Sequence, residues 1–535
     1  MREGSSAARG ALALSIAGIL SKVISVLYTP LLVHILGDSG YGVYSKVVEV
    51  FLFIYAITSV GAQPAVAKVV AELNALGNKE GAVRTLSISR KFYAILGTIA
   101  GISMMLLAFP ISKIIESPSV VYGIIALGPC VLITSILSAY RGFMQGEGNM
   151  KSIAISQIIE QFLNVILSLL CAFILMGISM PYGVAGAQVG TSVGALAAIL
   201  FIAYCYVKNE YEEKAYNCGV ENHLSDKKIR RKMIRYSIPI IMSAGLQNLG
   251  GLVDMTNVSN RLLDIGFAEK YANALYGYYG RYKTLIGVPM VIIMAVSTIV
   301  LPSISKARAL KDKKEIRNKI RMGFRSSLAI SIPAAVGLAM VAEPLYIFLF
   351  GRTNGVGILK VGSFILVLMA FTQIQMSILQ AINKFYYILF SFGIGIIVKI
   401  ILNYIFVGIE SINIYGVLIG NCFWYLIPAI MNHKKICKVN RMKMPIVRLF
   451  FKPLFASLVM ALGLALVQKP INIIFEFIPM NRLTVIPTLL IEVAIGSIIY
   501  LYLMLILGGI RKADIETISP KIIRLMPRFM RRKLH

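Results

Sequence analysis

Long apolar runs broken by short polar stretches dominate the chain. A helix that crosses the hydrocarbon layer of a bilayer needs roughly 20 apolar residues. Runs of that order fall near 11–36, 47–68, 92–115, 120–140, 153–178, 183–207 and 236–260, and again near 275–303, 326–350, 360–382, 386–408, 413–432, 449–468 and 484–509. The pattern predicts an all-α polytopic membrane protein with fourteen transmembrane helices and no soluble domain, the longest polar stretch being 208–235. Arg281 and Lys283 interrupt the eighth run. The first run is too long for a signal-peptide core and is expected to stay in the protein as a span.

The pattern also repeats. Pro64-Ala-Val-Ala-Lys68, at the end of the second run, recurs 238 residues later as Pro302-Ser-Ile-Ser-Lys306, at the end of the eighth. Glu80 and Glu315 follow at a spacing of 235, as do Gln145 and Gln380, and Tyr182-Gly183 and Tyr415-Gly416 at 233. Six spans separate the copies, so both enter from the same side, which makes this a parallel repeat. The expected organisation is an N-lobe over 1–207, a cytoplasmic basic loop over 208–235 and a C-lobe over 236–433. Two further helices over 434–510 and a basic cytoplasmic tail over 511–535 complete it.

Composition sharpens this picture. Of the 535 residues 57% are hydrophobic and 15% charged, which excludes a soluble enzyme, a secreted disulfide scaffold and a disordered chain. The net charge of +30 would suggest nucleic acid in a soluble protein, but here its distribution follows the loops. With both termini inside, the exposed outer loops hold only Lys46, Lys113, Arg261, Lys270, Arg352, Lys360, Lys469 and Arg482. The basic runs Lys227 to Arg235, Lys306 to Arg325 and Arg524 to Lys533 then read as topogenic charge that meets anionic lipid headgroups. The six cysteines show no C-x-x-C spacing and the four histidines no H-E-x-x-H run, so no metal site is expected. No P-loop is present, and no cofactor is expected. A membrane potential or an H+ or Na+ gradient is the energy source to consider.

An ionised side chain at mid-membrane costs about 2.5 to 3.5 kcal/mol on insertion scales, so each one in a span is a site candidate. Lys22 in the first span and Asp254 in the seventh are expected to face each other. Arg281 and Lys283, beside Tyr276, Tyr278 and Tyr279, suit phosphate contact with stacking on a sugar, or an interfacial aromatic belt with snorkelling basic groups. Lys399 shares a helix face with Asn403, and Asn164 occupies its repeat position four residues after Glu160. Glu49 stands three residues after Lys46, so that either self-neutralisation or a ligand role is open. Glu343 and Glu492 read as structural.

Two stretches carry a family resemblance: Ala139-Tyr-Arg-Gly-Phe-Met-Gln-Gly-Glu-Gly-Asn149 and Ser156-Gln-Ile-Ile-Glu-Gln161. Together they resemble the R-G-x-x-Q-G … S-Q-x-x-E-Q signature of the polysaccharide biosynthesis and stage V sporulation protein B family, within the multidrug/oligosaccharidyl-lipid/polysaccharide (MOP, MATE-like) exporter superfamily. Gly61-Ala-Gln-Pro64, Leu379-Gln-Ala-Ile-Asn-Lys384 and Val398-Lys-Ile-Ile-Leu-Asn403 support it. The resemblance implies two pseudo-symmetric six-helix lobes with two extra C-terminal helices, and transport of undecaprenyl-linked glycan precursors as in lipid II flippases of the MurJ and YtgP type. Ser21-Lys22 matches the first-span cation of those proteins, and Lys283 their eighth-span one. Their second first-span arginine reads Tyr28 here, and their paired second-span arginines read Leu52-Phe53.

The function expected is a flippase that moves a lipid II-like or polysaccharide precursor across a bacterial plasma membrane by alternating access, without covalent chemistry. Lys22, Arg281, Lys283, Lys399, Tyr276, Tyr279, Arg141 and Gln145 form the expected substrate-contacting set. Asp254, Glu160, Glu49, Asn164 and Asn403 form the expected coupling and polar-seam set. Partners expected are the lipid-linked oligosaccharide, anionic lipids and wall-synthesis enzymes, with no nucleic acid. Two rival readings stand beside it: a cation-coupled multidrug exporter of the same superfamily, and a non-transporting scaffold for wall-synthesis enzymes.

Overall fold

A computed structural model of the protein describes residues 2–216, 225–444, 446–477 and 481–509. Residues 217–224 of the basic loop, and the basic tail 511–535, lie outside the described residues. The described chain is helical and contains no strand. It falls into two compact units, one running to Gly280 and taking in Asn403–Ile414, the other holding Arg281–Leu402 and the chain from Tyr415.

The first unit holds α1 (Arg2–Tyr55), α2 (Ala62–Ala75), α3 (Lys79–Leu106), α4 (Ala108–Ile114), α5 (Val121–Gly146), α6 (Met150–Met176) and α7 (Met180–Lys208). It continues with the short α8 (Tyr211–Tyr216), α9 (Asp226–Asp264) and the first part of α10 (Glu269–Ala309). The second unit holds the rest of α10, then α11 (Lys313–Met340), α12 (Ala342–Phe350), α13 (Val356–Gly362), α14 (Ile365–Ala381), most of α15 (Phe385–Val407), α16 (Gly416–Val439), α17 (Ile446–Phe477) and α18 (Val485–Ile506).

Among the described residues ten helices are long and apolar enough to cross a membrane, and up to twelve if each bent pair is one span: α3 with α4, bent by 51°, and α13 with α14, bent by 48°. This is a multi-pass membrane protein. The expected count of fourteen is not confirmed, because two expected spans do not register separately by length and apolarity. The first two expected spans fall within one stretch, Ala17–Ala75, because the chain turns helical again directly after a non-helical break at Gly37 and α1 then joins α2 by a π-helical turn over Ala56–Val60. Gly37 has φ 71°, which a residue with a Cβ adopts only at a cost. The expected span 236–260 lies inside α9, which carries Gln247, Asn248, Asp254, Asn257 and Asn260 and so falls short in apolarity.

The turns repeat as the sequence does. A left-handed residue followed by a capping side chain starts both α3 and α11: Gly77 (φ 74°) then Asn78, and Lys311 (φ 56°) then Asp312, 234 residues later. Asn78 accepts from the Gly81 amide at 2.7 Å, and Asp312 accepts from those of Lys314 and Glu315 at 2.9 Å. Left-handed Gly148 and Asn383 likewise stand just before α6 and α15, 235 residues apart. Two short loops of each repeat therefore share their backbone geometry as well as their spacing.

The first unit is held at its basic-loop end by a buried cluster that joins α2, α3 and α5 to α9 through Val66, Val70, Leu73, Leu86, Ile229 and Met233. Ionic contacts reinforce it: Lys232 Nζ reaches Glu72 at 3.0 Å, the Tyr236 hydroxyl donates to Glu72 at 2.8 Å, and the Lys68 ammonium sits 3.8 Å above the Tyr236 ring. Arg84 meets Asp226 at 2.7 Å. In the second unit, basic side chains cap exposed carbonyls. Arg317 donates to the carbonyls of Asn440 and Arg441, and Arg308 to that of Ala381. Part of the positive charge of these loops thus stabilises helix C-termini. A separate apolar cluster packs Val336 of α11 against Met460 and Leu464 of α17 and Met504 of α18.

Candidate functional site

At the end of the first unit away from the basic loops, α1 and α10 cross at glycines. A Cβ on Gly42 would collide with the Asn273 carbonyl oxygen, and one on Gly277 with the Asp38 carbonyl oxygen, 2.5 Å away. Small residues allow backbones to approach in this way. The crossing puts Lys46, 2% exposed, within 2.6 Å of Asn273 Oδ1. Asn273 in turn donates to Glu269, which accepts from Ser117 at 3.3 Å. Lys46, expected in an outer loop, is instead buried in α1: the chain turns helical again directly after the break at Gly37 and carries it beneath α10. A cavity of about 820 Å³ opens beside the kink, lined by Leu36, Asp38, Met176, Met180, Glu269 and Lys270.

A second polar node centres on Asp254, 2% exposed in α9. Tyr279 donates to one carboxylate oxygen at 2.7 Å and Asn403 Nδ2 to the other at 2.8 Å. Tyr276 and Tyr279 are both buried, with ring centroids 5.8 Å apart in a T-shaped arrangement. The Lys46 ammonium lies 5.8 Å from the Tyr276 ring. Glu49, 7% exposed, presses its carboxylate against Gly251 of α9. Four expected site residues, Asp254, Asn403, Tyr279 and Tyr276, thus come together. Tyr278 points elsewhere, to Asp38 at 3.2 Å.

The third node lies between α5 and α6. Arg141 donates to Ser156 Oγ at 3.0 Å and forms an ion pair with Glu160 at 2.6 Å. A substrate-set residue and a coupling-set residue are thus each other's partner. The short loop between two antiparallel helices brings them together, and their spacing in the shared signature carried that signal. Gln145 accepts from Gln63 at 2.9 Å, tying α5 to α2. Asn164 accepts from Ser168 at 2.8 Å and Thr191 at 3.2 Å, pinning α6 to α7. Lys22 is half-buried on α1.

In the second unit two cations are fully buried. The Arg281 guanidinium lies 4.8 Å from the Phe350 ring, and the Lys399 ammonium 4.1 Å from that of Trp424. Lys283 is half-buried two residues beyond Arg281. Tyr282, also buried, donates to the Gly362 carbonyl at 3.0 Å and fixes α10 to α13. The aromatic caps on both cations were not anticipated; Trp424 had no periodic or motif signal to mark it.

Comparison with known proteins places this arrangement. The description "Polysaccharide biosynthesis protein" matches residues 7–308, more than half of the chain. The chain belongs to the polysaccharide biosynthesis protein family. Stage V sporulation protein B of Bacillus subtilis (strain 168) is 25% identical over 81% of this chain and 83% of its own length. Lipid II flippase MurJ of the same organism is 22% identical over 98% of both. In fold, the chain is similar to an inward-facing multidrug resistance MATE family transporter of the MOP superfamily. That likeness has a TM-score of 0.63 at 17% identity and covers 79% of this chain and 96% of that one. The family's all-helical, MATE-like architecture is therefore the architecture here.

Proposed function

We propose that this member of the family is a flippase that moves an undecaprenyl-linked glycan precursor, lipid II-like or polysaccharide, across the cytoplasmic membrane by alternating access. The observation that carries the reading is the pair of fully buried cations, Arg281 and Lys399, on helices of a chain similar along its length to a lipid II flippase. Arg281, Lys399, Lys22 and Lys283 bind the diphosphate electrostatically, and the buried tyrosines contact the sugars. The Asp254 node responds to a proton, a sodium ion or the membrane potential. No bond is made or broken, so the protein acts as a transporter and not as an enzyme. Both termini and the basic loops face the cytoplasm, where they meet anionic lipid headgroups, and the lipid-linked precursor is handed to wall-synthesis enzymes on the other side.

The test is reconstitution in proteoliposomes with lipid II, reading how much of the lipid becomes exposed in the opposite leaflet. Flipping by the wild type, and its loss in the joint Lys22→Ala and Lys283→Ala variant, is expected. Full flipping by that variant sinks the assignment of these cations; no flipping by the wild type sinks the activity. Drug resistance conferred on a sensitive host without lipid exposure would favour the exporter reading.

A further inference from the structure

Trp424 is the sole tryptophan of the chain. It sits in α16, 5% exposed, with its ring face over the wholly buried Lys399 ammonium. Phe392 meets it edge-on, with centroids 6.2 Å apart, and Tyr425 lies at 4.8 Å. Gly395 of α15 lets the two helices close: a Cβ there would stand 3.2 Å from Trp424 Cδ1, the carbon next to the indole nitrogen. That nitrogen is buried and has no hydrogen-bond partner among the described residues.

An indole N–H can only donate. Buried donors nearly always find an acceptor, and tryptophan is usually placed where its N–H can do so. Phenylalanine would offer Lys399 a ring face without any orphaned donor. The residue present instead adds a donor beside a buried positive charge. At 4.1 Å from ammonium to ring centroid, one phosphate group can span both donors.

We infer that Trp424 and Lys399 form a phosphate-binding subsite in the second unit, in which Trp424 is a direct ligand contact. The inference rests on the proposed transport of a lipid-linked diphosphate and adds a residue to it. Phosphate could come from that headgroup or from bulk anionic phospholipid, and the experiment separates the two.

Because Trp424 is the single indole emitter, the full-length wild-type protein reports on its own subsite. In phosphatidylcholine nanodiscs, farnesyl diphosphate is expected to change Trp424 emission saturably, and farnesol is not. Lys399→Met should raise the half-saturation concentration about tenfold, the loss of one charge-assisted contact. Trp424→Phe, followed by bound radiolabelled farnesyl diphosphate, should weaken binding roughly fivefold with thermal stability held, as expected for one lost hydrogen bond. The same emission change from phosphatidylglycerol alone would support the subsite and assign its phosphate to bulk lipid. If the radiolabel binds wild type and Trp424→Phe equally and emission stays flat, the subsite is overturned while the proposed function stands. If the wild type binds no diphosphate at all, both fall.

Discussion

Arg141 and Glu160 form a pair whose energetics separate structure from ligand binding. The Arg141 side chain is 9% exposed and that of Glu160 28%, with 2.6 Å between them. Breaking a fully buried pair by removing one partner costs about 3 to 5 kcal/mol, whereas exposed pairs are worth roughly 0.2 to 1 kcal/mol. This pair lies between those limits. Glu160→Ala strands the more buried group, the guanidinium, with Ser156 as its remaining acceptor here, and should cost about 3 kcal/mol. Arg141→Met leaves a carboxylate that retains some contact with solvent, and should cost about 2 kcal/mol. The double variant should cost about 3 kcal/mol and not the sum, giving a coupling near 2 kcal/mol. Reversible unfolding by SDS in mixed micelles, followed by circular dichroism, measures all four corners of the cycle. A coupling below about 0.5 kcal/mol would refute the pair as a structural clasp. In the lipid-exposure assay, the double variant should flip better than Arg141→Met alone; a double variant as inactive as the single one would return Arg141 to the substrate contacts.

Other outcomes follow from single contacts. Met233→Asp places a charge in the cluster that docks α9 on α2 and α3, and should lower stability by about 3 kcal/mol or more, whereas Glu72→Gln should cost no more than about 1 kcal/mol; equal effects in SDS unfolding would contradict the ranking. Gly42→Leu should prevent α1 and α10 from crossing and abolish a monodisperse peak in size-exclusion chromatography, while Gly37→Ala, strained only through φ, should cost roughly 1 to 2 kcal/mol. Tyr500→Phe removes a 2.7 Å bond from α18 to the Ala329 carbonyl in α11 and should cost about 1 kcal/mol; loss of flipping with stability intact would show that this tie does more than pack.

Hydrophobic runs made the helices legible because twenty-odd apolar residues have few other solutions in a lipid environment. What they could not show was continuity. Gly37 does break α1, but the chain turns helical again directly after it, and that immediate restart is why Lys46, read as an outer-loop residue, is buried in a helix. The polar residues of α9 resist any apolarity rule, since their acceptability depends on partners far along the chain. Asp254 was recognisable as costly, and Asn403 as a seam residue, yet nothing in their spacing joined them. Arg141 and Glu160 were visible in one signature, but a signature marks residues without saying whether they hold a ligand or each other. Trp424 stood alone in composition, and only its place above Lys399 gives it meaning.

The Asp254 node bears on how the nascent chain matures. α9 leaves the ribosome with Gln247, Asn248, Asp254, Asn257 and Asn260 in its membrane segment, which makes spontaneous entry into lipid unfavourable, so its partition from the translocon relies on helices already inserted, against which Ile229 and Met233 pack and whose Glu72 meets Lys232. One oxygen of Asp254 then receives Tyr279, 25 residues later, and the other receives Asn403, 149 residues downstream. That second contact waits until α15 emerges. The maturation of the early helices is thereby tied to synthesis of the late ones, and a polypeptide truncated before Asn403 would present quality-control proteases with an unfinished polar core.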